Sequence, residues 1–113
     1  MIEITRGTTP TLSCVVPSSI PVSEVDEIWF TIAQNGVIIA DKKLSDGTVQ
    51  VTENIVSIKL SQKESLMLKT YERAECGVQL YRKSDDMRWS LVRPEEIVVN
   101  RIVKSGEMSA EEV

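Results

Sequence analysis

Residues 54–82, NIVSIKLSQKESLMLKTYERAECGVQLYR, carry two period-two apolar patterns on either side of a helix-start signal. Val56, Ile58 and Leu60 alternate with Ser57 and Lys59, as the inward positions of a half-buried strand do. Ser61-Gln62-Lys63-Glu64 then has capping-box spacing, in which the Ser61 hydroxyl accepts from the Glu64 amide and the Glu64 side chain reaches back to Ser61. Leu66, Met67 and Leu68 give that turn an apolar side, so a short helical segment is expected near 62–69, before Glu72-Arg73 breaks the pattern. From Cys76 the alternation returns, with Cys76, Val78 and Leu80 on one face and Gln79 and Tyr81 on the other.

The rest of the chain reads in the same way. Ile2 to Thr5 forms a short first strand, and Thr11 to Val16 a second with Leu12, Cys14 and Val16 on one face. Between Val25 and Asn35 lies the strongest strand signal, Ile28, Phe30 and Ile32 facing one way and Trp29, Thr31 and Ala33 the other. Asn35-Gly36 is the preferred pair for a tight type I′ hairpin, so Val37 to Leu44 should pair straight back. Turns at Ser45-Asp46-Gly47 and Glu53-Asn54 flank a short strand at 48–52, and Ser23 caps a brief turn through Asp26. After a polar loop at 83–86, Arg88 to Val92 returns with Trp89 and Leu91 on one side. Pro94 then interrupts as at an edge or bulge, and Ile97 to Val103 closes the fold. The expectation is an all-β, immunoglobulin-like antiparallel sandwich of about eight strands, the helical turn at 62–69 being its E-to-F connection. One domain spans 1–104, and 105–113 reads as a disordered acidic tail.

At 113 residues the chain is long enough to bury about two-thirds of its unfolded surface. Aromatics make up only 4 %, so the core must come from Ile, Val and Leu. The net charge of −4 gives no basic footprint for nucleic acid. No apolar run approaches the roughly 20 residues that span a bilayer, so no membrane partner is expected. MIEITRG lacks the basic and apolar regions of a signal peptide, and the chain as given reads as cytosolic at synthesis.

Catalytic chemistry finds no foothold. The chain has no His, which removes the commonest general base and the commonest zinc ligand together. Two Cys cannot hold zinc alone, and the five Gly are scattered at turns with no phosphate loop or dinucleotide fingerprint. No catalytic residue, metal or cofactor is assigned. Asp46, Glu53, Asp85 and Asp86 fall in loops, where solvated carboxylates outweigh a Ca²⁺ site because no EF-hand spacing exists. Cys14, Trp29 and Cys76 follow the order of the inter-sheet disulfide and core Trp of immunoglobulin domains. Ala74 stands where the tyrosine corner would be, however, and Trp29 alternates away from Ile28 and Phe30. Two buried, reduced thiols are therefore favoured over a Cys14–Cys76 disulfide. Trp29, Tyr71, Tyr81 and Trp89 offer a surface for sugar or protein, though each residue type is more often a packing residue.

Five segments, RGTTPTLSCVVP (6–17), EIWFTIAQNGVII (27–39), VSIKLSQKESLML (56–68), GVQLYR (77–82) and EEIVVNRIVKSG (95–106), together resemble a family of small phage and prophage proteins of Gram-positive gut bacteria. The same order is similar to the immunoglobulin-like N-terminal domain of phage baseplate upper proteins. This chain departs from that domain in its acidic tail and in carrying no receptor-binding extension. The resemblance implies architecture and a virion setting: a non-enzymatic structural or assembly module of a tail, baseplate or neck. Such a module is made in the host bacterial cytoplasm and contacts other virion proteins or further copies of itself. The terminal strands, Ile2–Thr5 and Ile97–Val103, are the expected edges, with Ile97, Val99, Ile102 and Trp89 as interaction residues. An immunoglobulin-like module that binds a carbohydrate or protein ligand is the alternative.

Overall fold

The computed structural model describes residues 2–70 and 72–101. Among them lie β1 (Ile2–Thr5), β2 (Thr11–Val15), β3 (Glu27–Gln34), β4 (Val37–Lys43), β5 (Val49–Thr52), β6 (Ile55–Lys59), α1 (Gln62–Met67), β7 (Ala74–Arg82) and β8 (Met87–Asn100). Short 3-10 turns occupy Val22–Glu24 and Leu44–Asp46. The strands make a five-stranded sheet in the order β1-β8-β7-β3-β4 and a three-stranded sheet in the order β2-β6-β5. Buried side chains from both sheets form one core, a two-layer, sandwich-like β architecture.

Period two decides which side chains enter that core. Leu12, Cys14 and Val16, then Ile28, Phe30 and Ile32, then Val56, Ile58 and Leu60, then Cys76, Val78 and Leu80 are all buried. Each large apolar side chain among them stabilises the fold by roughly 1.5–3 kcal/mol relative to exposure. Both cysteines are buried thiols rather than a disulfide. The β3–β4 hairpin turns on Asn35 (φ 53°) and Gly36 (φ 77°), and two successive positive φ values are what a type I′ turn requires.

The capping box forms as its spacing predicts. The Glu64 amide donates to Ser61 Oγ at 3.1 Å, and the Ser61 amide donates to Glu64 Oε1 at 2.8 Å. The helix stops at Met67, where Leu68 turns to extended backbone (ψ 138°) and drops its side chain into the core.

Three expectations about the C-terminal part need correction. β8 runs unbroken through Pro94, and the irregularity there is a shift of register: Ala74 pairs with Ile97 and Cys76 with Arg93. Two steps along β7 thus face four along β8, a bulge that absorbs the proline without ending the strand. The sheet is also mixed, because β1 lies parallel to β8 in the register Ile2↔Ile97 to Thr5↔Asn100. That placement makes the end of β8 an interior strand between β7 and β1, with β1 and β4 at the sheet's edges. Ile102, Val103, Tyr71 and the tail at 105–113 lie outside the described residues.

Candidate binding surface

Alternation along the five-stranded sheet leaves one face to the core and one to solvent, and strand pairing arranges the solvent face as a grid. Glu27, Tyr81 and Arg88 stand side by side across β3, β7 and β8, and Trp29, Gln79 and Ser90 form the next row. Lys43 of β4 extends that second row beside Trp29. The six residues of the two rows across β3, β7 and β8, with Leu80 and Trp89 between the rows, border a concavity of about 390 Å³.

Hydrogen bonds fix the charged side chains of the grid. Glu27 Oε1 accepts from the amides of Ile28 and Ser45, each at 3.0 Å. Partial burial pushes the Glu27 carboxyl up, but hydrogen bonds from Ser45, Ile28 and the Trp29 side chain outweigh it and hold the group below its usual range. Arg88 reaches Asp86 at 3.0 Å and lies 4.5 Å from the Tyr81 ring centre. The Tyr81 hydroxyl donates to the same Asp86 carboxylate at 3.0 Å. Bonding to Arg88 first, and then to Tyr81, holds Asp86 below its ordinary pKa, while the bond to Asp86 raises that of Tyr81. Lys43 Nζ sits 5.3 Å from the Trp29 ring centre.

The residues expected to make contacts do not form one surface. Ile97 and Val99 are 1 % and 3 % exposed, with side chains facing the core and not the outer surface. Both belong to the face of β8 that packs into the core between the two sheets. Trp29 is 43 % exposed on the outer face beside Tyr81's row, whereas Trp89 pairs with Leu80 and packs half-buried against the core. Arg82 lies over the Trp89 ring at 5.3 Å and is itself paired with Asp85 and Glu24 at 2.7 Å.

The candidate calcium ligands are scattered. Asp46 lies in the turn before β5, Glu53 in the β5–β6 turn, and Asp85 and Asp86 in the β7–β8 turn, where arginines engage them. Among the described residues no three metal-ligating side chains come together, and no helix is long and apolar enough to cross a membrane.

Sequence reasoning missed a polar clamp at the opposite end of the sandwich. Buried Ser65 accepts from the Gly7 amide at 3.0 Å and donates to the Thr8 carbonyl at 2.7 Å. Arg6 donates to the Leu66 carbonyl at 2.9 Å. Buried Gln34 takes the Lys69 amide at 2.7 Å and donates to the carbonyls of Lys69 and Glu72 at 2.9 and 3.0 Å. The Arg-Gly-Thr-Thr turn, α1 and the entry to β7 are thereby tied together, which accounts for a glycine with φ 81° at position 7. The only local hint was position 34 itself, which continues the inward series Ile28, Phe30, Ile32 with a polar residue.

Searches against protein-family models and curated proteins find no match to this chain.

Proposed function

We propose that this chain is a non-enzymatic structural module of a phage or prophage virion, working through protein contacts at the edges of its five-stranded sheet. The observation that carries the contact reading is β4. Its outer side is unpaired among the described residues, and it presents Val37 and Ile38 at 58 % and 59 % exposure. Edge strands normally carry charges or proline to block further pairing, and β4 has none before Asp41. A neighbour's strand can therefore add to it through main-chain hydrogen bonds, with pockets for alternate side chains setting the choice. β1 offers a second edge on the opposite side.

The strand orders support an immunoglobulin-like reading of the sandwich. In that reading β7, β8 and β3 correspond to F, G and C, extended by β4 as C′, opposite β2, β6 and β5 as B, E and D. The virion setting rests on the resemblance carried by the five quoted segments. In that setting the chain is made in the host cytoplasm and then incorporated, its partners being other virion proteins or copies of itself.

Two measurements test the proposal. Sedimentation across a wide concentration range should show mass growing into a defined oligomer, ring or tube, and Ile38→Lys should hold the protein at monomer mass. A monomer at every concentration would remove self-assembly from the reading. Mass spectrometry of gradient-purified particles from an induced lysogen should find the chain; its absence from particles would remove the virion role.

A further inference from the structure

We infer that the concavity on the outer face of the five-stranded sheet is a binding site for a neutral saccharide. The site is separate from the β4 edge, and its charges are already answered. Glu27 is held by the amides of Ile28 and Ser45, and Arg88 by Asp86. An ionic ligand would compete with those existing partners for a new contact that, this exposed, adds little. What the lining offers in addition is aromatic surface and uncharged hydrogen-bonding capacity. Trp29 is exposed, Tyr81 is half-buried in the adjacent row, and Gln79 and Ser90 lie exposed between and beside them.

That mixture matches the chemistry of a sugar ring. A pyranose has an apolar face of C–H groups, whose positive hydrogens suit the negative face of an indole; Trp29 offers the face away from Lys43, while Arg88 already lies over the Tyr81 ring. Its rim is a ring of hydroxyls, each both donor and acceptor. The Gln79 amide and the Ser90 hydroxyl are likewise both donor and acceptor, so either can meet a hydroxyl in whichever sense it presents. The concavity lies within the size range of small-molecule sites, at its lower end, which suits a short oligosaccharide and not a folded domain.

Calorimetric titration of the full chain against a panel of neutral oligosaccharides (gluco-, manno-, galacto- and N-acetylglucosamine-based) tests this inference, with a sialylated and a uronic-acid oligosaccharide as charged comparators. At least one neutral sugar is expected to bind saturably, with a Kd in the millimolar range or tighter. Trp29→Ala should weaken that binding at least tenfold and Ser90→Ala severalfold. Both positions are exposed, so melting temperatures of the variants should stay at the wild-type value. Saturable binding of neither class, binding of the charged sugars only, or binding that Trp29→Ala leaves intact would each overturn the proposal. Because the readout is sugar binding and not mass, Ile38→Lys should bind sugar like wild type, which separates this site from the edge contact.

Discussion

Gln34 occupies the inward position after Ile28, Phe30 and Ile32, yet it is polar and buried. Burial of an amide is tolerable here because its oxygen and both its amino hydrogens meet backbone groups of the segment between α1 and β7. Gln34→Leu would keep the volume but orphan one amide and two carbonyls. We expect it to cost about 2–4 kcal/mol of unfolding free energy, measured by urea titration. Glu64 is the residue whose titration should show. Partial burial pushes its carboxyl up, but Lys42 at 2.8 Å and the Ser61 hydrogen bonds outweigh that and hold it below 4.5. A carboxyl with a depressed folded-state pKa adds stability above its unfolded pKa and loses it as pH falls through the folded one. The stability difference between wild type and Glu64→Gln should accordingly be full at neutral pH and shrink below about pH 4.5.

Among the elements, α1 has six residues, too few to stand by helix propensity alone. Its cap and its packing must hold it. Ser61→Ala removes the acceptor for the Glu64 amide and should cost about 1 kcal/mol, read as a lower urea midpoint with an unchanged slope. The β3–β4 hairpin depends on the left-handed backbone at Gly36, where a Cβ would meet no other atom within 4 Å. Gly36→Ala therefore isolates the backbone term, and the expected loss is about 1 kcal/mol. Both elements were legible in the sequence because their determinants lie within four residues of each other. The continuity of β8 was not, since Pro94 reads locally as an edge or bulge between two separate strands. Only pairing with β7 and β1 shows that the strand passes through it as a bulge.

At the scale of the molecule, the packing of one sheet on the other decides what an exposed-looking isoleucine does. Ile97 and Ile38 both sit in apolar strand segments, VVN and VIIA in their settings, and nothing in their neighbours ranks one as buried. The packing does: Ile97 faces the core between the two sheets, while Ile38 lies exposed on the edge strand β4. Ile97→Lys would bury an unpaired ammonium and should prevent folding, or cost more than about 4 kcal/mol. Ile38→Lys should leave the unfolding midpoint within about 0.5 kcal/mol of wild type and act on association alone. Circular dichroism melts of the two variants side by side check this contrast.

The sequence by itself determined the inward faces of β2, β3, β6 and β7, the type I′ hairpin and the capped turn, because alternation, φ preference and capping are local physics. It also placed Trp29 and Tyr81 on outward positions of their own strands. Only the tertiary structure decided that these two belong to neighbouring rows of one concavity, that Trp89 turns to the core, and that Gln34 and Ser65 close the far end. Those are consequences of which strand pairs with which and in what register. Residues 34 and 69, or 8 and 65, become neighbours only once the sheets have formed, and no short-range pattern in the chain encodes that meeting.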